Sequence, residues 1–252
     1  MRTILIIAPV GSDAHLAVEE AEARTVLGSG TTLVLRHLTG VPPTVYVAPE
    51  EVFVPRLVEA VVQGAADGFD AIGISCCSDP GLAECRAAVD VPVTAPFAAV
   101  ASRLAETGPI GILYQSVPPA PGESELTGDE WIPRLAAAYG CAEDIVAAIP
   151  VPVGRTPIDY DTPGATPAAV GAALVHQMRS AMDSAGVVAA REAQRHGARA
   201  IFPTCTYWSG TLDTVRAAVD IPVLDPLAEL TRHLDQLARD PRPQPGSAGL
   251  PE

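Results

Sequence analysis

Two cysteines in this chain occupy matched positions. The run Gly68-Phe-Asp-Ala-Ile-Gly-Ile-Ser-Cys76-Cys-Ser-Asp-Pro-Gly81 is an apolar segment ending in a thiol, a turn and a helix start. It recurs as Gly197-Ala-Arg-Ala-Ile-Phe-Pro-Thr-Cys205-Thr-Tyr-Trp-Ser-Gly210, with glycine and thiol both displaced by 129 residues. Cys76, not Cys77, has the echo. Downstream, Arg86-Ala-Ala-Val-Asp-Val-Pro-Val93 returns as Arg216-Ala-Ala-Val-Asp-Ile-Pro-Val223 at a displacement of 130, so one residue is inserted after the second thiol. A fixed offset held over this many positions marks an internal repeat. A single free cysteine is often an inert core residue. Two at equivalent points of a repeat, each where a parallel strand ends, stand where open α/β sheets hold ligands. An approximate two-fold axis would bring both thiols to one cleft from opposite sides. That geometry suits proton removal from one face of a carbon and proton delivery to the other.

The elements that must position these thiols follow from pattern. Thr3 to Ala8 and Pro109 to Tyr114 are apolar runs that open each repeat as buried parallel strands. Pro9 and Ser12 follow the first, Gln115 and Ser116 the second, and these four residues are candidates to face the cleft. Ser12 or Asp13 is placed to cap a helix that carries Glu19, Glu20 and Glu22, read as a solvated face. Ala71 to Ser75 delivers Cys76, and Asp79-Pro80 reads as the N-cap and first residue of the next helix. Such a helix start would favour a thiolate. Ile201 to Thr204 delivers Cys205, and Ser209 is placed to cap the helix to Val219. Tyr207 and Trp208 are candidate substrate walls, while Cys77 is a packing residue that also adjoins the site. The proline-rich stretches 41–49 and 153–168 are extended loops suited to line a cleft, and 117–125 reads as a mobile surface loop. A long alanine-rich helix spans about 169–196 with Gly186 as a break. These elements divide into a first lobe, 1–97 plus 224–238, and a second, 98–223, with a disordered tail at 239–252.

Composition narrows the chemistry. The 252 residues are 48% hydrophobic and 18% charged, with a net charge of −14 and no basic stripe, which argues against nucleic acid and anionic membrane surfaces as partners. The partner expected is a small-molecule substrate, and homo-oligomerisation stays open. All 16 basic residues counted as Lys+Arg are arginine, so neither a pyridoxal-phosphate Schiff base nor a phosphate-loop lysine is available. No cofactor is expected. The five histidines, His15, His37, His176, His196 and His233, show no metal-ligand spacing and read as surface or capping residues. Gly28-Ser-Gly30 precedes a strand rather than a helix, the wrong setting for a phosphate loop. Five cysteines without a Cys-x-x-Cys pair, no signal-like N-terminus and no apolar run near the roughly 20 residues of a membrane span point to the reducing cytoplasm.

The residues around Cys76, with Arg86 and Val91-Pro-Val93, resemble the first-cysteine block of the aspartate/glutamate racemase superfamily, within it most of all the hydantoin racemase branch. Gly197 to Cys205 with Ile221-Pro-Val-Leu-Asp225 is similar to that branch's second-cysteine block, and the resemblance spans about residues 1–238. It implies an α/β fold of two similar lobes, each a mostly parallel sheet flanked by helices, related by pseudo-two-fold symmetry with the active site between them. It also implies a cofactor-independent isomerase in which Cys76 and Cys205 flank the α-carbon of a hydantoin, amino acid or related carbon acid. One thiolate abstracts a proton and the opposite thiol supplies one, with Ser78 and Thr206 holding the developing oxyanion. Three features depart from the branch. Ala8-Pro-Val-Gly-Ser12 keeps the proline and serine of its Asn-Pro-Asn-Thr/Ser motif without the asparagines. Pro203-Thr-Cys205-Thr-Tyr-Trp208 replaces its glycine and small residues, and a customary glutamate near Ala98 is absent. Fewer polar anchors beside Tyr207 and Trp208 imply a larger or more apolar substrate. An arylmalonate decarboxylase-like or maleate isomerase-like enzyme, or a non-catalytic small-molecule binding protein, remains as an alternative.

Overall fold

A computed structural model describes residues 1–117 and 130–240. The first strand, β1 (Arg2–Ala8), leads into α1 (Leu16–Val26), β2 (Thr31–His37), α2 (Glu50–Ala66) and β3 (Ala71–Ile74). Four short elements follow: α3 (Leu82–Ala88), β4 (Val93–Thr94), α4 (Pro96–Ala101) and α5 (Leu104–Thr107). The second half runs β5 (Ile110–Ser116), α6 (Trp131–Ala138), β6 (Ile145–Pro152), α7 (Pro167–Ala181), α8 (Val187–Arg195), β7 (Ala200–Pro203), α9 (Asp213–Ala218) and α10 (Pro226–Arg239). Two sheets result, ordered β2-β1-β3-β4 and β6-β5-β7. All their pairings are parallel. The expected α/β architecture of two similar lobes, each a parallel sheet flanked by helices, is observed.

The sheets repeat one plan because the same apolar runs recur. Every residue of β3 and β7 is buried, as parallel strands covered on both faces require. Ile72 pairs with Val93 in the first sheet, and Ile201 bridges Val223 in the second. The hydrogen bonds match too: Ile72 N–H donates to Pro92 C=O at 2.9 Å and Ile201 N–H to Pro222 C=O at 2.8 Å. Beyond the strands, Ser75 N–H reaches Ile7 C=O at 2.8 Å and Thr204 N–H reaches Leu113 C=O at 2.7 Å. The residue before each cysteine is therefore pinned to the central strand of its sheet in the same way.

Two glycines permit close approach. A Cβ on Gly73 would meet Leu234 Cδ1 at 2.6 Å, so its absence lets α10 press onto β3. A Cβ on Gly171 would lie 2.1 Å from the Ala14 carbonyl oxygen, so α7 of the second half packs directly on the turn before α1. The long helix of residues 169–196 forms as α7 and α8 joined by a π-helical turn over Met182–Gly186. Gly186 marks a change of winding there, not a break.

Local expectations fail in three places. Asp79 does not cap α3: it has φ 47°, and the N-cap of α3 is Gly81 at φ 63°. Its carboxylate instead accepts Phe97 N–H at 3.1 Å and Ala98 N–H at 2.8 Å at the start of α4. Ser209 does not cap α9, whose N-cap is Leu212. Its hydroxyl donates to Asp225 Oδ1 at 2.7 Å, and Asp225 caps α10. The cap of α1 is His15 rather than Ser12 or Asp13, although Ser12 Oγ accepts Ala14 N–H at 3.1 Å. The expected loop at 117–125 lies, from residue 118 onward, outside the described residues, as does the tail beyond residue 240.

Candidate active site

Cys76 and Cys205 leave β3 and β7 one residue after the last pinned backbone group, and both are partly exposed. Their turns touch each other. Thr206 Oγ1 donates to Ser75 C=O at 3.2 Å, joining the residue after one thiol to the residue before the other. The two strand ends therefore meet at one junction, which is what a shared site requires.

The sulfur environments differ. Cys205 Sγ accepts Gln115 Nε2–H at 3.0 Å, and an amide N–H can only donate. Cys76 Sγ lies 3.4 Å from Ser78 Oγ, a hydroxyl able to donate or accept. Burial pushes the Cys205 thiol up to about 12, against the Tyr207 and Trp208 backbone N–H groups, while the charges of Cys76 and Glu19 add to the rise. Burial likewise raises Cys76, opposed by Ser78 and reinforced by Asp79 and Glu19. Both shifts favour the protonated thiol over the thiolate.

The other sequence candidates separate into those at the thiols and those around them. Ser78, Gln115 and Thr206 are at the junction, as above. Tyr207 is also there: its hydroxyl donates to Val45 C=O at 2.8 Å, and its ring lies edge-on to His15 with centroids 4.8 Å apart. Cys77 is buried with Phe97, Tyr114 and Phe202, and burial raises its thiol well above the ordinary value. Pro9 is buried directly after β1. Ser12 bonds Tyr160 OH at 2.5 Å, and Ser116 C=O accepts Val153 N–H at 2.9 Å. These contacts tie in the loop that follows β6. Tyr46 OH donates to Thr156 Oγ1 at 3.1 Å, so the two proline-rich stretches meet across the junction. Trp208 is fully buried among core residues of the second half such as Leu174 and Ile201, and is no substrate wall.

Two residues at the site escaped sequence reading. Glu19 was expected on a solvated face and His15 at the surface, yet they are 1% and 4% exposed. Ser75 Oγ donates to Glu19 Oε1 at 3.0 Å, and His15 Nδ1 is 3.8 Å from the same oxygen. The signal was the spacing: His15, Glu19 and the fully buried Ala23 share one face of α1. No group of three or more His, Cys, Asp or Glu side chains among the described residues is arranged to hold a metal ion. None of the helices there is long and apolar enough to cross a membrane.

Residues 4–113 match the Asp/Glu/hydantoin racemase family. That span holds most of β1, the Cys76 block and the first half of β5, and the match bears out the superfamily resemblance read from the first-cysteine block. Among solved structures, allantoin racemase from Klebsiella pneumoniae superposes with a TM-score of 0.74 at 18% identity, over 95% of this chain and 88% of that one. Glutamate racemase from Francisella tularensis, in complex with D-glutamate, gives 0.57 at 11% identity over 95% and 82%. Unliganded arylmalonate decarboxylase gives 0.54 at 17% identity over 98% and 97%. These likenesses establish that the racemase fold extends through the second half, beyond the matched span. No match is found among curated proteins.

Proposed function

We propose that the protein is a cofactor-independent racemase or epimerase in which Cys76 and Cys205 are the two acid/base groups. The observation that carries this reading is the direct tie between the two cysteine turns, from Thr206 Oγ1 to Ser75 C=O, at the ends of equivalent strands. One thiolate removes the α-proton of a carbon acid, and the opposite thiol protonates the resulting planar centre from the other face. The Ser78 hydroxyl and the backbone N–H groups that follow each cysteine are the donors assigned to the developing oxyanion, the Thr206 hydroxyl being engaged by Ser75 C=O. A hydantoin or a related amino-acid-derived amide is the substrate class favoured, because the structural likeness to allantoin racemase is the strongest of those described. The lobes as divided in sequence, 1–97 plus 224–238 and 98–223, would then enclose a small molecule in a cytoplasmic enzyme.

A second reading, decarboxylation of an aryl-substituted malonate with one thiol as proton donor, is supported by the likeness to arylmalonate decarboxylase across nearly the whole of both chains. Proton NMR in D2O separates the two, using single-enantiomer hydantoins, amino acids and arylmalonates with the native protein, Cys76→Ser and Cys205→Ser. Racemisation with loss of the α-proton signal is expected of the native protein, and either substitution is expected to abolish the racemisation while the remaining thiol still exchanges the α-proton of one enantiomer. Decarboxylation that survives one substitution would move the protein to the single-thiol reading. Turnover unaffected by both would remove the cysteines from the mechanism.

A further inference from the structure

Beneath the thiols lies a polar group that two-base chemistry does not use. Glu19 enters from α1, and Ser75 Oγ bonds its Oε1, while the same Ser75 presents its carbonyl to Thr206 Oγ1. One carboxyl therefore touches the peptide that carries Cys76 and, through a single shared residue, the peptide that carries Cys205. His15 flanks it and abuts Tyr207 from the Cys205 turn. Glu19 Oε2 and both ring nitrogens of His15 are buried without a hydrogen-bond partner among the described residues. An interior carboxyl lacking a cation is costly, and an apolar side chain would serve packing better.

The geometry points to Glu19 as a positioning residue for the thiol pair: through the hydroxyl and the carbonyl of Ser75, one buried carboxyl fixes both cysteine turns. The inference rests on the two-thiol reading for its purpose, since a site that works on both faces of one carbon needs its two turns held in register. Electrostatics support it. Behind the dominant effect of burial, the Glu19 charge pushes up Cys76, Cys205 and the Tyr207 hydroxyl alike. The groups facing it are His15 from α1, Cys76 with Asp79 behind it from the β3 end, and Cys205 and Tyr207 from the β7 end, with Tyr160 beyond. The acids of α10, which packs on α1, are engaged elsewhere: Asp235 with Arg239 and Thr31, Glu229 with Arg103 and Arg232. No arginine pairs with Glu19 among the described residues.

The test reads the thiols directly, so it does not depend on any turnover assay. Alkylation of Cys76 and Cys205 by iodoacetamide is followed separately by peptide mass spectrometry, from neutral to alkaline pH, in the full chain. Glu19→Gln keeps an oxygen for the Ser75 bond and drops the charge, so the alkylation midpoints of both thiols move down by about one pH unit. Ser75→Ala keeps the charge and breaks the bond, so its midpoints move less than those of Glu19→Gln. Unchanged midpoints in Glu19→Gln would overturn the inference, as would a shift confined to Cys76 or an equal shift in Ser75→Ala. A protein that racemises nothing but shows the paired shift would refute the proposed function and leave the coupling of Glu19 to both thiols intact.

Discussion

The turns that carry Cys76 and Cys205 leave equivalent strands at equivalent registers and then build different surroundings. At the repeat offset, Asp79 of the first turn corresponds to Trp208 of the second, and Gly81 to Gly210, both glycines in the left-handed region at φ 63° and 76°. The first turn is braced by a buried carboxyl bonded to the start of α4 and to Tyr139 OH at 2.7 Å. The second is braced by a fully buried indole whose Nε1 has no partner among the described residues. One thiol has a hydroxyl neighbour, the other an amide donor. Backbone symmetry fixes where the sulfurs stand. The unlike braces and neighbours decide how each sulfur holds its proton.

The sharpest way to break this comparison is to remove one thiol at a time. Cys76→Ser and Cys205→Ser are each expected to lower racemisation by about a thousandfold or more. On the proposed two-thiol mechanism, the remaining thiol still faces one side of the carbon. Each variant should therefore wash the α-proton of one enantiomer into D2O without inverting it, and the two variants should choose opposite enantiomers. Wash-out of the same enantiomer by both would mean that the sulfurs do not flank the carbon.

Next in size is the brace beneath Cys76. Burial raises the Asp79 carboxyl from 3.8 to about 7, against the hydrogen bonds from Tyr139, Ala98 and Phe97. A carboxyl whose folded value is raised adds stability that is complete below its unfolded value and is lost as pH climbs through the folded one. Stability should therefore fall between about pH 4 and pH 7, with a ceiling of about 4 kcal/mol for this group. Asp79→Asn should flatten that slope in urea melts at a series of pH values. An unchanged slope would relocate the titration to another group. The Cys205 turn, with Trp208 at the corresponding place, has no such dependence to lose.

What the sequence made legible divides along the same line. The sheets could be read because buried parallel strands are unbroken apolar runs, and the cysteines because a repeat places them equivalently. The role of Asp79 was not legible, since Asp-Pro before a helix is an N-cap signature and only the left-handed backbone at Asp79 turns the carboxylate toward α4. Glu19 was misread because three acids within four positions resemble a solvated face, although one of them points inward with His15 and Ala23. Contacts such as Thr206 with Ser75 are set by how the sheets are placed on each other. No local pattern encodes that placement.

Gln115 sharpens the comparison at a single sulfur. Replacing it by leucine removes the amide donor from Cys205 and leaves Cys76 untouched. Loss of a hydrogen bond to an ionised partner should slow alkylation of Cys205 at fixed pH by about tenfold, with Cys76 changed by less than about twofold. Equal slowing of both would show that Gln115 supports the junction as a whole and that the sulfurs share one environment.

The smallest effect concerns what the two turns have in common. Ser12 with Tyr160, and Tyr46 with Thr156, tie the stretch after β1 and the stretch after β2 to the loop after β6. Tyr160→Phe deletes one hydroxyl and keeps the ring, a change of about 1 kcal/mol, or about fivefold in how often the tie is open. Because the tie spans the junction rather than either sulfur, KM for both enantiomers should move together by no more than that factor, with alkylation of Cys76 and Cys205 altered in parallel. A response confined to one thiol would assign the loop after β6 to that thiol's surroundings, and the two turns would then differ in access as well as in the hydrogen bonds to their sulfurs.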